Sequence, residues 1–458
     1  MADEYAQAGS GDEALDSRRV AAILDAVDAG DAVRLTALMD PLHAADIADL
    51  LEQIRSPARR ALLALWSGEI DGEILSEIDE AIREEVIGYL SPDVLADAVR
   101  ELDSDDVVDI LEDLEEPAQE RILGALESAD RAAVEQSLAY PEYSAGRLMQ
   151  REVVSAPEHW TVGEAIDFLR AEDWLPDQFY HVILVDPRMK PAGYVTLGRI
   201  LSARRDTRLR DIAEDSFRTI KATDQEADVA YIFNQYHLIS TPVVDDAGRL
   251  VGVITIDDAM NVLDEEHEED ILRMAGVSDE SSLSDTVWEA LKGRAVWLFV
   301  NLLTAILASL VIDAFAHTVE QMVALAVLMP IVASMGGNAG TQTMTVAVRA
   351  LATRDLTAQN AMRVVRREVA VGALNGALFG LVMAGVAAFW FGVPMLALVI
   401  GLAMVLTLVA AALGGILIPM ALERFDIDPA LASGPFVTTV TDVVGFFAFL
   451  GLASWILL

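Results

Sequence analysis

The chain has 458 residues, a formal net charge of -41 and no cysteine. Without cysteine it forms neither disulfides nor thiolate zinc sites, and without a basic stripe we expect no nucleic-acid partner. The whole net charge lies in residues 1–291, because residues 292–458 carry eight basic and eight acidic side chains. An acidic first part is therefore joined to a neutral, apolar second part. The acidity attracts cations, and it is also typical of adaptation to a salty cytoplasm.

The first 140 residues are predicted to be acidic and helical. Residues 1–20 are polar and lack the apolar segment of a signal peptide, so we expect them to be disordered and cytoplasmic. Across residues 21–140 apolar side chains recur at helical spacing, which predicts a domain of stacked short helices that form a superhelix. The run Pro41-x-x-x-Ala45-Asp46 echoes Pro92-x-x-x-Ala96-Asp97, and this echo suggests an internal repeat.

Residues 145–206 and 207–263 are two copies of one unit. In each copy an apolar run leads to Asp186 or Asp245, and a second run begins seven residues later. Helices are expected before the first run, near 161–170 and 225–236. The pattern predicts an α/β unit of strand–helix–strand–strand–helix type.

This unit resembles a CBS domain, and the two copies resemble a tandem CBS pair. Such pairs commonly bind adenosine nucleotides, and members of the family hold the ribose with a Thr-x-x-Asp sequence at the start of the last helix. The second copy has this sequence as Thr255 and Asp258, whereas the first copy has Thr196 and Arg199. The resemblance implies ATP as a candidate ligand that contacts Thr255 and Asp258.

A very acidic segment, residues 264–291, is predicted to form a helix that connects the second copy to the apolar part. Glu265, Glu268 and Glu269 share one helical face, and Asp257 lies two turns earlier. Like charges on one face destabilise a helix unless a cation neutralises them. A divalent ion that bridges these carboxylates would dock the helix; the alternative is a solvated acidic surface.

Residues 292–458 are predicted to cross a membrane five times, since a helix needs roughly 20 apolar residues to span the bilayer core. Runs with at most one charge occupy 296–312, 321–348, 369–422 and 429–458, and the third is long enough for two helices with a turn near 392–394.

Basic residues predict the orientation of these helices. Five arginines lie between residues 349 and 367, and Lys292 and Arg294 precede the first helix. The opposite connections, 313–320 and 391–394, carry no Lys or Arg. The positive-inside rule therefore predicts a plasma (inner) membrane protein with the N-terminus in the cytoplasm and the C-terminus outside.

One carboxylate, Asp442, lies near the centre of the last predicted membrane helix. A charge there costs roughly 2.5–3.5 kcal/mol on insertion scales. No Lys or Arg lies at a matching depth in the other helices, so a passing cation is the partner that we expect. The alternative is a protonated carboxyl, or one that is hydrogen-bonded to the neighbouring Thr438, Thr439 and Thr441.

The second membrane helix carries an unusual polar run. Residues 336–343, Gly-Gly-Asn-Ala-Gly-Thr-Gln-Thr, follow Pro330 and weaken a helix. Non-helical backbone at membrane depth is tolerated where it lines a cavity, and its oxygens, with Asn338, would suit a hydrated cation. The alternative is close helix packing through small residues.

The order of these parts, the run 336–343 and the run 433–445 (Ser-Gly-Pro, then Thr438-Thr439-x-Thr441-Asp442-x-x-Gly445) resemble the MgtE-type magnesium channel/transporter family. The resemblance implies a multi-domain protein with an α-helical superhelix, a CBS pair, a connecting (plug) helix and five membrane helices. It also implies a homodimer with Asp442 in a pore at the two-fold axis. Regulatory Mg²⁺ would be held by Asp257, Glu265, Glu268 and Glu269, with Asp224 and Glu226 as further ligands, and would close the Mg²⁺ uptake path.

Other functions are weighed against this one. A non-transporting, membrane-anchored CBS sensor leaves Asp442 unexplained, and an anion channel does not suit a lone membrane acid. No nucleophile–base set, phosphate-binding loop or dinucleotide fingerprint is found, so we do not expect an enzyme. Transport of Co²⁺, Mn²⁺ or Ni²⁺ stays open, although the lack of Cys and of a membrane His favours a hard ion such as Mg²⁺.

Overall fold

The computed structural model describes residues 15–66, 70–112, 114–172, 174–176, 178–214, 217–278, 287–425 and 427–457. The chain divides into two compact units, the first ending at Asp264 and the second beginning at Glu265.

The first unit begins with an all-helical domain, as predicted. In its described part the helices are α1 (Ser17–Ala29), α2 (Ala32–Met39), α3 (Ala44–Gln53), α4 (Ser56–Trp66), α5 (Gly72–Ser76), α6 (Glu80–Tyr89), α7 (Pro92–Glu101), α8 (Ser104–Glu112), α9 (Glu116–Leu123) and α10 (Ser128–Leu138). Helices this short are marginal in water, so their shared core stabilises them. That core contains Leu50, Leu62, Ile87 and Ile110, all fully buried.

Several aspartates of this domain serve as helix caps. Asp16, Asp31, Asp71 and Asp79 each accept a hydrogen bond from a backbone N–H in the first turn of the helix that follows. Such caps satisfy amides that have no partner within the helix, and a carboxylate also favours the positive end of the helix dipole. Part of the acidity is therefore structural.

The segment 1–20 that was expected to be disordered extends too far, because α1 already begins at Ser17. Residues 1–14 lie outside the described residues.

The predicted echo does not mark equivalent positions. Pro41 lies in the turn before α3, whereas Pro92 is the first residue of α7. The two prolines share a local sequence signal for a helix start, and that signal does not define a repeat.

A different repeat is visible in two buried arginines. Arg59 and Arg83, 24 positions apart, each donate to the carbonyl five residues earlier, Ile54 O and Ile78 O. Each also pairs with an acid 26 residues later: Arg59 with Glu85, and Arg83 with Asp109 at 3.0 Å. The stacked helices thus repeat a buried arginine that pairs with a more exposed acid of a later helix.

The rest of the first unit contains two α/β copies in tandem, and the predicted strand–helix–strand–strand–helix unit is confirmed. The first has α11 (Ala145–Leu148), β1 (Ser155–Pro157), α12 (Val162–Ala171), β2 (His181–Val185), β3 (Pro191–Thr196) and α13 (Leu197–Ser202). The second has a 3-10 turn (Leu209–Asp211), β4 (Ile220–Lys221), α14 (Glu226–Tyr236), β5 (Ser240–Val244), β6 (Leu250–Thr255) and α15 (Ile256–Ala275). In both sheets the middle strand pairs in parallel with the first and antiparallel with the third.

Helix α15 continues from the second copy into the connecting segment. It begins at Ile256, eight positions before the expected start at 264, and ends before Gly276, whose φ of 72° is left-handed. The connecting helix therefore ends at Ala275 and not at the predicted residue 291, and it is continuous with the last helix of the second α/β copy. Residues 279–286 lie outside the described residues.

In the part of the second unit that the structure describes, five helices are long and apolar enough to cross a membrane, as predicted. The unit contains α16 (Val287–Ala314), a short α17 (Ala316–Gln321), α18 (Ala324–Ala352), α19 (Ala361–Phe391), α20 (Pro394–Arg424) and α21 (Pro429–Ile456). The expected turn at 392–394 is present, with Gly392 in the left-handed region and Pro394 opening α20. Helix α20 is central and packs against α18, α19 and α21.

Helix α18 is continuous from Ala324 to Ala352, so the prediction of non-helical backbone at 336–343 is wrong. The reason is close packing. A Cβ on Gly336 would lie 2.7 Å from Thr407 of α20, and one on Gly340 would lie 2.7 Å from Val437 of α21. These two glycines let the neighbouring helices approach, and the packing offsets their poor helix propensity.

Candidate functional site

Asp442 lies half-buried on α21, one turn after the exposed Thr438. Its carboxylate has no hydrogen bond or ion pair to any residue that the structure describes. The threonine hydroxyls donate to backbone carbonyls instead: Thr438 to Gly434 O at 3.0 Å, Thr439 to Pro435 O at 2.6 Å and Thr441 to Thr438 O at 2.9 Å. The neighbouring threonines therefore do not satisfy the carboxylate.

A polar stripe runs along the side of α18 that its two packed glycines do not occupy. It consists of exposed side chains at helical spacing: Ser334, Asn338, Thr341, Gln342 and Thr345. The Asn338 amide lies 3.5 Å from the Ser334 hydroxyl, at the limit of a hydrogen bond. Polar groups at membrane depth are costly against lipid, so the stripe requires water or another polar surface.

Asp442 and the stripe belong to two helices that are packed together. Thr441, fully buried, lies against the closely packed face of α18, since a Cβ on Gly340 would approach its Cγ2 to 3.1 Å. The next residue is Asp442. The fold therefore places the Asp442 carboxylate and the polar stripe on two neighbouring helices, and their oxygens are of the type that a hard cation prefers.

A second group of carboxylates lies within the first unit. Burial and the carboxylate of Asp258 raise the pKa of Asp105 well above its ordinary value. Burial, followed by nearby carboxylates that include Asp257, raises the pKa of Asp106 to about 7. Burial and Asp257 likewise raise the pKa of Asp258 to about 7. The start of α8 thus faces the start of α15 through acids that repel one another.

Hydrogen bonds hold α8 in this place. The Gln150 amide donates to Asp103 Oδ2 at 2.6 Å, and Ser104 Oγ donates to Glu152 Oε2 at 2.8 Å. Among the described residues, no three His, Asp or Glu side chains are arranged as a metal site. The fold therefore brings these carboxylates near one another without making them converge on one point.

Sequence reasoning missed Asp105 and Asp106. The signal was weak, because two acids at a helix start are ordinary. Asp258 lies 153 positions after Asp105 and Asp257 lies 151 positions after Asp106, and only the fold shows that these acids meet.

The proposed ribose contacts lie beside these acids. Thr255 Oγ1 donates to Asp258 Oδ2 at 2.8 Å, so the pair is preformed. Because Asp258 interacts with Asp105 and Asp106, negative phosphates there would be repelled unless a cation accompanies them.

A third acidic group lies in the second unit, at the end of α15. Arg273 pairs with Glu269 at 2.8 Å and with Asp428 at 3.0 Å, and Asp428 Oδ1 caps α21 by accepting from Ala430 N at 2.7 Å. Burial, followed by neighbouring carboxylates, raises the pKa of Glu266, and burial and Asp428 raise that of Asp270.

Of the predicted ligands on α15, Glu265 and Glu268 are exposed, whereas Glu269 is paired with Arg273. Glu266, Asp270 and Asp428 were not predicted. The argument from one helical face selected Glu265, Glu268 and Glu269, and Glu266 and Asp270 lie outside that set. Asp428 could not be found in this way, because it lies far along the chain, at the start of α21.

Asp224 lies in the turn before α14, and Glu226 is the first residue of that helix. Asp224 Oδ2 accepts from Lys221 N at 2.9 Å, and the backbone N–H of Glu226 donates to Tyr143 O at 3.0 Å. The Asp224 carboxylate therefore already stabilises this turn.

Three family models match the chain. One, described as a divalent cation transporter, matches residues 329–452. The MgtE intracellular N domain matches 42–143, and the CBS domain matches 145–206 and 209–265. These matches bear out the resemblance to a CBS pair and the order of the domains.

Curated relatives match nearly the whole chain. The magnesium transporter MgtE of Thermus thermophilus is 32% identical over 451 residues, which cover 97% of this chain and 99% of the relative. The magnesium transporter MgtE of Enterococcus faecalis is 30% identical and covers 88% of this chain and 95% of the relative.

Among solved structures, the cytosolic domain of the Mg²⁺ channel MgtE in complex with ATP is 29% identical. The match has a TM-score of 0.49 and covers 53% of this chain and 99% of that chain.

Proposed function

Because the chain belongs to the MgtE family of magnesium transporters, we propose that it mediates Mg²⁺ uptake along a path that cytoplasmic Mg²⁺ closes. The observation that carries the proposal is the carboxylate of Asp442, which lies in a membrane helix without a partner in the described chain. Mg²⁺ dehydrates reluctantly and keeps several waters, so one carboxylate with amide and hydroxyl oxygens such as Asn338 suits it.

The path is proposed to form between two copies of the chain. The polar stripe of α18 is exposed in the single chain, and a membrane-exposed stripe of this kind is stable only against water or another polar surface. A symmetric dimer buries the same patch of both subunits, so it would bring two Asp442 residues and two stripes to one axis.

The orientation proposed for the protein follows from its charges. By the positive-inside rule, the arginines between residues 349 and 367 favour a cytoplasmic position for their loop, and the acidic residues 1–291 would then lie on the same side and the C-terminus outside. The acidic part then samples the Mg²⁺ concentration that the transporter must regulate.

Closure is proposed to act through the two acidic groups. In the first unit, Mg²⁺ would bridge Asp257 and Asp258 to Asp105 and Asp106. On α15, Mg²⁺ would neutralise Glu265, Glu268 and Glu269, and so favour the docked position of this helix. A ligand shifts such an equilibrium only through its differential affinity for the two states, and several weak sites together make the response steep.

Asp224 and Glu226 remain weaker members of the proposed regulatory set. The Asp224 carboxylate already accepts a hydrogen bond in its turn, so a metal there would have to use its remaining lone pairs.

ATP is proposed as a second ligand, bound as its Mg²⁺ complex at Thr255 and Asp258. The preformed hydrogen bond of this pair supports the ribose contact, and the neighbouring carboxylates explain why a cation must accompany the phosphates. Titration of the full chain with ATP should give binding with Mg²⁺ and little binding in a chelator. Equal binding in both conditions contradicts the proposal.

The proposed function is tested with the purified chain in liposomes. Uptake of Mg²⁺, Co²⁺ and Mn²⁺ is measured with low and with high Mg²⁺ on the side of the acidic part. We expect Mg²⁺ uptake that high Mg²⁺ shuts off, and E265A/E268A/E269A should keep conducting at that level. Preferred uptake of Co²⁺ or Mn²⁺ would identify another cargo, and no uptake would favour a non-transporting sensor.

A further inference from the structure

Residues 150–152, here called the linking segment, connect the helical domain to the second α/β copy. The backbone of Gln150 pairs with Val253 of β6 in an antiparallel bridge, with N···O distances of 2.8 Å and 2.9 Å. The approach is close, since a Cβ on Gly252 would lie only 2.8 Å from Gln150 O. Val253 lies three positions before Ile256, where α15 begins. The linking segment is therefore bonded to the chain just ahead of the connecting helix.

The side chains of the linking segment bind the helical domain. Those of Gln150 and Glu152 bond to the start of α8 at 2.6 Å and 2.8 Å. The backbone N–H of Arg151 donates to Ser104 Oγ at 2.8 Å, and its guanidinium donates to Ser137 Oγ of α10 at 3.0 Å. Both serines are buried. Buried polar networks of this kind hold one arrangement rigidly when their groups are satisfied.

One group of this network is not satisfied. In the part of the chain that the structure describes, Arg151 Nη2 is buried and has no hydrogen-bond partner. Burial lowers the pKa of the Arg151 guanidinium, because a charged group loses its hydration there. The contact between the helical domain and the linking segment is therefore a balance of favourable hydrogen bonds and a desolvation cost that release of the contact would relieve.

The linking segment lies between the two sets of acids that repel one another. Asp105 and Asp106 directly follow Ser104 on α8, and Asp257 and Asp258 stand in the first turn of α15. The hydrogen bonds of the segment to Ser104 and to β6 thus hold both sets in register. A displacement of α8 is passed to the start of α15 through three bonded residues.

We propose that the linking segment couples the helical domain to α15. Gln150, Arg151 and Glu152 act as positioning residues, and docking of the helical domain is transmitted to α15 through the pairing of Gln150 with Val253. The inference rests on the proposed closure by Mg²⁺ and adds the element that carries it along the chain. Such coupling is a free energy that both sites share, so breaking the segment changes the response of α15 to Mg²⁺.

The first test breaks the coupling from the helical domain with S104A/S137A and measures Mg²⁺ flux of the full chain in liposomes. Flux at low Mg²⁺ should be unchanged, and the Mg²⁺ concentration that half-closes the path should rise about tenfold. This equals about 1.4 kcal/mol, the scale of one hydrogen bond to a charged group. Q119A is the control, because the Gln119 amide donates two hydrogen bonds within the helical domain and its substitution should lower thermal stability alone.

The second test does not depend on transport. Hydrogen exchange is measured in a chelator for the amides of residues 253–260. S104A/S137A should speed their exchange about tenfold, although both substitutions lie in the helical domain, and Q119A should not. E152A should act like S104A/S137A, whereas E152Q keeps an acceptor oxygen for Ser104 and should retain most of the protection. If S104A/S137A does not fold, the comparison of E152A with E152Q decides.

Three results would overturn the proposal. They are an unchanged half-closing concentration in S104A/S137A, a shift as large in Q119A, and unchanged exchange of residues 253–260 in both S104A/S137A and E152A. If Mg²⁺ does not close the wild-type path, the proposed closure fails, and the exchange experiment still decides whether the linking segment couples the two parts.

Discussion

Single residues explain why α18 can be both glycine-rich and continuous. Gly336 and Gly340 lie where α20 and α21 pack closely against α18. A Cβ on Gly337, in contrast, would meet nothing within 4 Å. Counting glycines in a sequence therefore overestimates the weakness of such a helix, because the packing that compensates them involves residues of other helices.

Gly340→Ala should destabilise the protein by about 1–3 kcal/mol, because its Cβ would press on the buried Val437. Gly337→Ala is the matched control and should be neutral, or more stable by up to about 1 kcal/mol through helix propensity. Thermal denaturation in detergent measures both. Equal effects of the two substitutions would show that packing against α21 is not what fixes Gly340.

Arg273 links the C-terminal end of α15 to the start of α21, because it pairs with both Glu269 and Asp428. The positive guanidinium of Arg273 reduces the repulsion between the carboxylates of Glu269 and Asp428. A divalent cation bound nearby would reduce the same repulsion further.

Arg273→Gln should weaken the docking of α15 and raise the Mg²⁺ concentration that half-closes the transporter. E266Q/D270N should have the opposite effect, because it removes two of the charges that repel Asp428. E423Q, which removes an exposed acid near the end of α20, is the control. The measurement is Mg²⁺ flux as a function of the Mg²⁺ concentration on the side of the acidic part. If Arg273→Gln and E266Q/D270N shift the half-closing concentration in the same direction, the assigned roles are contradicted.

The α/β copies and the membrane helices were predictable because their signals are local. Short apolar runs before Asp186 and Asp245 mark the strands, and long charge-free runs mark the spans. The acids Asp105, Asp106 and Asp428 could not be assigned, since each meets its partners only after the chain has folded. The same is true of the ion pair between the buried Arg83 and the exposed Asp109, whose members are 26 positions apart.

At the scale of the whole molecule, the net charge of -41 lies in residues 1–291, where carboxylates gather at the start of α15. Some of the acids cap helices, and adaptation to a salty cytoplasm is an alternative explanation for the rest. If the acids also bind regulatory Mg²⁺, divalent cations must stabilise the folded protein more than monovalent salt does.

Mg²⁺ at a hundredfold excess over its dissociation constant should stabilise the full chain by about 2.7 kcal/mol per site. NaCl of equal ionic strength should do less, and D105N/D106N should lose most of the difference. Thermal unfolding with each salt measures the effect. If NaCl stabilises the protein as well as Mg²⁺ does, the acidity reflects salt adaptation alone.

The central claim is that Asp442 faces passing metal. The most direct measurement is Mg²⁺ flux into liposomes that contain either the wild-type chain or D442N at matched protein content, with E423Q as a control of equal charge change. We expect the flux through D442N to fall to the level of empty liposomes while E423Q conducts normally. Wild-type flux through D442N would contradict it.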